Sequence, residues 1–307
     1  MSNQREKAPR LSSLRSRLSI LIAVFLAVIV GERAVLWAAA QLKSWRDGET
    51  LTAADLNANF AALNAALRPE SFPGGSPATA GASCAALKTL GATQSGTYYV
   101  KNPTSADAAM VNATVLVYCD QVSEGGGWAL LYNSVIGANS SDFWNIPYAG
   151  RLGRRGRPSL DSNFYDGSLY QTAATSYLDV IEDLHGKAAT EFIARTDGIN
   201  NTTMRFNNPT LMSGFQAAYD SQFAGGWSAP DYDGDTLATG NCSATYLGVT
   251  QHYSGCWNSN LGSDAEDPFL DGGAGPHVHM SALAALMLAG DGSAYSRVRR
   301  ISRFVRW

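Results

Sequence analysis

The chain predicts an α+β domain whose second half is organised by loops, and three observations carry that reading. Short runs of β-formers stand at Thr97–Val100, Thr114–Tyr118, Trp128–Tyr132, Thr190–Arg195 and Met204–Phe206. Helical periodicity is confined to Tyr177–His185 and Ser281–Ala289. The stretch from Asn207 to Leu247 is dense in Gly, Asn and Asp, which are turn formers.

Upstream of this domain the chain divides by composition. Arg5, Lys7, Arg10, Arg15 and Arg17 precede an apolar run from Leu18 to Val30, and Ala38–Ala39–Ala40 offers a small-residue cleavage site. Residues 1–40 therefore read as an export signal, or as an uncleaved membrane anchor running from Leu18 to Ala40. Either way the chain after residue 41 lies outside the cytoplasm, secreted or tethered, and any membrane contact is through that helix alone.

Residues 41–68 contain a helical stalk segment. Thr52 and Asp55 form an acidic variant of a capping box, and Ala53, Leu56, Phe60, Leu63 and Leu67 recur at spacings of three and four. Two heptads cannot hold a coiled coil alone but can set register in a homo-oligomer. DGETLTAADLNANFAAL, at 47–63, resembles a segment of phage tail-fibre proteins, and that resemblance favours a trimer. Residues 69–82, PESFPGGSPATAGA, read as a flexible Pro/Gly linker, leaving 83–307 as one domain with enough chain for a sizeable core.

Net charge is −3 with 16% charged residues, so nothing global argues for a nucleic-acid partner. The basic run Arg151, Arg154, Arg155 and Arg157 is interleaved with glycine and reads as a solvated loop. No nucleophile triad, P-loop or dinucleotide fingerprint is visible, and an enzyme is not expected. Four cysteines allow three connectivities. Cys84 with Cys119 and Cys242 with Cys256 are each local in sequence, which makes two sequential disulfides the economical reading and implies an oxidising compartment.

Two motifs carry chemistry. Asp231, Asp233 and Asp235 alternate around Gly234, an outline for a Ca²⁺ loop, since that hard cation collects oxygen ligands from carboxylates and carbonyls. An EF-hand is excluded, because the twelfth position counted from Asp231 is Cys242 rather than Glu. His277–Val278–His279 puts two imidazoles on one face of a strand. With Asp264, Glu266 and Asp267 nearby, they outline a rival zinc or acid/base site.

From Cys84 onward the chain resembles the fibrinogen C-terminal domain shared by fibrinogen, ficolins, tachylectins and angiopoietins. CAALKTLGATQSGTYYV, VYCDQVSEGGGW, the pair Phe143–Trp144, the acidic loop, Asn241–Cys242 and CWNSNL at 256–261 carry the likeness. It implies a mixed or antiparallel central sheet, few helices and a loop-rich calcium and ligand subdomain. A C-terminal strand is expected at Ser302–Trp307.

Carried over by residue, the resemblance implies that Asp231 and Asp233 bind Ca²⁺ through carboxylates, with carbonyls near Asp235 and Leu237. It also implies a shallow pocket for acetylated glycans or other cell-surface glycoconjugates beside the second disulfide. A cis peptide is implied at Gly255–Cys256. Tyr246, Tyr253 and Trp257 would flank an acetyl methyl, and Asn258 or His252 would bond the sugar. Departures are the Trp257 that replaces a common histidine, a longer loop before Cys242, and a divergent 264–279 stretch. Protein recognition without sugar is the alternative the same fold permits.

Overall fold

The computed structural model describes residues 72–101, 113–137, 140–171, 176–214, 222–263 and 275–307, with 52, 57 and 59. The expected signal or anchor (1–40) lies outside them, as do Asp264, Glu266 and Asp267. Of the stalk, only Thr52, Asn57 and Asn59 are described, the last two helical. Among the described residues no helix is long and apolar enough to cross a membrane.

The domain is built on an antiparallel sheet. Its strands are β1 (Gly96–Lys101), β2 (Thr114–Asp120), β3 (Trp128–Val135), β4 (Arg154–Gly156), β5 (Phe164–Asp166), β6 (Ser176–Glu182), β7 (Ala188–Arg195), β8 (Thr210–Gly214) and the C-terminal β14 (Arg300–Arg306). Two smaller antiparallel sheets lie between β8 and β14 in sequence: β9 (Gly226–Ser228) with β10 (Gln251–Tyr253), and β11 (Ser259–Ser263), β12 (Gly275–His279) and β13 (Tyr295–Arg297). The spatial order in the large sheet is β1-β2-β3-β14-β6-β7-β8, with the β4–β5 hairpin branching from β3. The expected strands at 97, 114, 128, 190 and 302 are all present. Helices are few and short: α1 (Cys84–Thr89), α2 (Ser140–Trp144), α3 (Cys242–Thr245) and α4 (Met280–Ala285).

Three local expectations are corrected. Tyr177–His185 is strand β6 rather than helix: Tyr177 and Ile181 face one apolar cluster, while Leu178 and Val180 face the other. A strand covered on both faces reads as a continuous apolar run, whose periodicity does not separate it from a short helix. Met204–Phe206 follows the turn at 201–203 and forms no strand: Met204 is at φ 54° and Phe206 is joined to Ile199 by an isolated bridge. Residues 72–82 do not hang as a free linker. Gly81 bridges Val100, and Tyr99 N–H donates to the Gly74 carbonyl at 2.8 Å, which docks the segment along β1.

The C-terminal strand occupies the middle of the sheet, paired with β3 and β6. Its alternation divides the core: Ile301 and Val305 join the larger cluster around Trp144 and Trp227, and Phe304 packs with Trp128, Leu130 and Phe164 on the other side. Arg303 also lies inside. Its Nε and Nη2 each donate to a carboxylate oxygen of Asp179 at 2.7 Å, and its guanidinium lies 5.1 Å from the ring centres of Tyr132 and Phe223. Such a pair is costly to bury and very costly to break, because loss of either member strands a charge in the interior.

Both disulfides form as expected. Cys84–Cys119 ties α1 to β2 across 35 residues, and Cys242–Cys256 closes a span of 14.

Candidate functional site: an acidic loop against the second disulfide

A small two-stranded sheet carries the site. Strands β9 (Gly226–Ser228) and β10 (Gln251–Tyr253) pair antiparallel, with Trp227 opposite His252. The acidic loop leaves β9 through a tight turn in which Ala229 and Tyr232 exchange backbone hydrogen bonds at 2.8 and 3.1 Å. It then folds back over the strand it left. A Cβ on Gly226 would lie 1.3 Å from the Gly234 carbonyl oxygen, so only glycine admits this approach.

The three aspartates have different work. Asp235 Oδ2 accepts from Ser228 Oγ at 3.1 Å and from the Cys242 N–H at 2.9 Å, while Oδ1 accepts from the Leu237 N–H at 2.8 Å. Both oxygens are committed to holding the loop on β9 and on the second disulfide. Asp231 and Asp233 are exposed. Asp231 Oδ1 accepts one bond, from the Tyr148 N–H at 2.7 Å. Local desolvation, and then repulsion from Asp235, push the Asp233 carboxyl above its ordinary value. A bound cation relieves that repulsion.

The donor set, two exposed carboxylates with backbone carbonyls in the same loop, is of the oxygen type that Ca²⁺ takes. Asp231 and Asp233 would hold the ion, with the Leu237 carbonyl in the same loop, and Asp235 acts as the loop's internal fastener. The Gly234 carbonyl already accepts from Arg205 Nη2 at 3.0 Å. Among the described residues no three His, Cys, Asp or Glu side chains cluster as a metal site of the all-side-chain kind.

Beside the loop lies an aromatic cluster on the disulfide. Cys242, Tyr253 and Trp257 form its buried centre, with Leu237, Tyr246, Cys256 and Tyr295 packed against them. Trp257 meets Tyr246 edge-on at 5.6 Å and Tyr295 at 4.7 Å. The Trp257 indole N–H is buried with no hydrogen-bond partner among the described residues, a polar atom left for a ligand or water. Asn241 sets the geometry at the loop's end: its side chain accepts from the Ala244 N–H, capping α3, and donates to the Ala229 carbonyl at 2.9 Å.

The predicted ligand residues separate by depth. Tyr246, Gly255, Cys256 and Asn258 reach the surface, and Gly255 opens onto free space. Tyr253 is interior, its hydroxyl donating to the Val249 carbonyl at 2.5 Å. Trp257 is 8% exposed. His252, at 3% exposure, is a core residue in this structure rather than a rim donor. It stacks on Phe206 at 4.8 Å and its Nε2 contacts the Met204 carbonyl at 2.8 Å. Burial, with the Arg303 charge nearby, lowers its pKa to about 3, so it is neutral at physiological pH. The implied cis bond is also absent: Gly255–Cys256 is trans, with Cys256 at φ 130°.

Several contributors escaped the sequence. Tyr148 stacks on Tyr232 at 4.3 Å and anchors Asp231, Ser228 bonds the loop from below, and Tyr295 extends the aromatic cluster. Gln222 holds the ligand segment: its Oε1 accepts from the N–H groups of Asn258 and Ser259, and its Nε2 donates to the His252 and Ser259 carbonyls. None belongs to a local motif. The two histidines of the rival site have different surroundings. His277 is buried, with Nδ1 at the Gly275 carbonyl, whereas His279 caps α4 and meets Tyr295 edge-on at 5.1 Å. The arginine run is tied down in large part: Arg151 donates to the Asn201 carbonyl, Arg155 to those of Phe143 and Asn145, and Arg154 pairs with Asp166.

The described residues thus define a disulfide-bonded, mainly antiparallel α+β domain with an acidic loop seated on its second disulfide. Its fold is that of a fibrinogen C-terminal-like domain. The fibrinogen-like globe domain of human ANGPTL6 superposes with a TM-score of 0.51 at 23% identity, over 74% of this chain and 95% of that one. That of human ANGPTL2 gives 0.50 at 18% identity, over 74% and 98%. No protein-family model matches the chain, and no curated protein sequence does. The likeness of 47–63 to tail-fibre segments has no counterpart in these comparisons.

Proposed function

We propose that the domain is an extracytoplasmic, non-enzymatic recognition module that binds Ca²⁺ through Asp231 and Asp233 and holds an acetylated glycan beside Cys242–Cys256. One observation carries the reading: the acidic loop and the aromatic–disulfide cluster share Asp235 and Leu237, so ordering one orders the other. The ion's contribution is to fix the loop. The ligand's small apolar group would meet Tyr246 and the disulfide, with Asn258 at the polar end. The disulfides and the fold fit an oxidising extracellular setting. A shallow site of this kind binds weakly alone, and oligomerisation through 51–67, with a trimer favoured, would raise avidity by roughly 10² to 10⁴.

Calorimetry tests both halves. Ca²⁺ should bind the wild-type chain and not the Asp231→Ala, Asp233→Ala variant, and an acetylated sugar should bind only the loaded form. Ca²⁺ affinity should weaken in acid as Asp233, with its raised pKa, protonates and competes with the ion. Ca²⁺ binding with no sugar on an acetylated panel would favour protein recognition instead. Failure of both would remove the site.

A further inference from the structure

Strand β7 carries one extra residue relative to β6. Val180 pairs with Thr190 and Asp179 with Phe192, so Glu191 is the inserted residue of a β-bulge. The bulge turns Glu191 to the inner side of the sheet. It is 0% exposed, and neither carboxyl oxygen has a hydrogen-bond partner among the described residues. A buried carboxylate without donors is very costly, whereas the neutral acid is tolerable.

Among the described residues, no cation offsets the Asp179 charge at Glu191. From β6 the facing charge is Asp179, already bonded through both oxygens to Arg303 of β14. Around that guanidinium stand the neutral groups Tyr132, Tyr170 and His252. Strand β8, on the other side of β7, carries no ionisable residue. Glu124 reaches the neighbouring Thr190 hydroxyl but not Glu191.

We propose that Glu191 is a built-in proton switch: neutral, it completes the sheet interior, and its ionisation places a second carboxylate against Asp179 and loosens the β14–β6–β7 centre. Desolvation, and then the Asp179 charge, push its pKa up to about 8. An unfolded glutamate titrates at about 4.3. Between the two values the folded chain binds one proton more than the unfolded chain, so stability falls as pH rises and levels off once both forms are ionised. The domain is therefore tightest in mild acid and loosens through neutrality.

Urea unfolding of the oxidised full chain, followed from about pH 5 to 9, reads the switch. The wild-type unfolding constant should rise by up to about tenfold per pH unit across the window, and the Glu191→Gln variant should lack that one-proton slope. Asp166, also buried and raised, contributes equally to both proteins, so their difference isolates Glu191. Equal slopes would overturn the proposal. Infrared difference spectra of the unsubstituted protein give a readout that does not depend on the variant folding. A protonated-carboxyl carbonyl band should persist at neutral pH and bleach above about pH 8, and its absence at pH 7 would overturn the proposal.

Discussion

Within the acidic loop, Asp235 accepts three hydrogen bonds that fasten the loop to Ser228, Leu237 and Cys242, while Asp233 stands exposed beside it. Substitution separates the two roles. Asp235→Ala should cost on the order of 3 kcal/mol even without Ca²⁺, because it leaves the Cys242 and Leu237 N–H groups without their acceptor. Asp233→Ala should change stability by less than about 0.5 kcal/mol in the absence of the ion, as a surface substitution does, while weakening Ca²⁺ binding. Chemical denaturation with and without Ca²⁺ compares them, and equal losses in the apo protein would refute the division. The Asp-x-Asp-x-Asp spacing marked all three residues. It was silent on which carboxylate is consumed by the loop, because Ser228 and Cys242 approach Asp235 only after β9 and the disulfide are in place.

At the scale of elements, the approach of the loop to β9 depends on Gly226 as much as on any aspartate. Gly226→Ala should destabilise the domain on the order of 3 kcal/mol and weaken Ca²⁺ binding as well, since the new methyl must drive Gly234 off the strand. Thermal unfolding and calorimetry on the same variant would check this, and a stable variant with unchanged affinity would remove the close approach from the account. The strand signals at β1, β2 and β7 were legible because partly buried positions and β-branched residues mark them locally, and β3, packed on both faces, because its short aromatic and aliphatic run starts directly after Gly125–Gly127. Strand β6 was not, because clusters on both of its faces erase the alternation. Likewise the segment at 72–82 has the composition of a linker, and its docking rests on backbone bonds to β1 that no side chain announces.

Over the whole molecule, the two disulfides restrain different spans, 35 and 14 residues. In the chain-entropy description, removing the first should cost about 4 kcal/mol and the second about 3. The Cys84→Ser, Cys119→Ser pair should lower the urea midpoint further yet leave Ca²⁺ binding in place. The Cys242→Ser, Cys256→Ser pair should disturb the ligand site, because Cys242 N–H and Asp235 share a bond. A reversed order of midpoints would show that local packing, not chain entropy, dominates.

By itself the sequence determined the α+β class, most of the strands, the pairing of cysteines and the stretch where acidic and aromatic residues converge, since each depends on residue type and short-range spacing. Tertiary structure alone decided the central place of β14, the burial of Arg303 on Asp179, the retreat of His252 into the core and the inward turn of Glu191. The first three rest on contacts between residues far apart in the chain, 48 positions for Met204 with His252, 124 for Asp179 with Arg303 and more for β14 with β3, and the fourth on the register in which β7 meets β6; a pattern read along one segment carries no record of either.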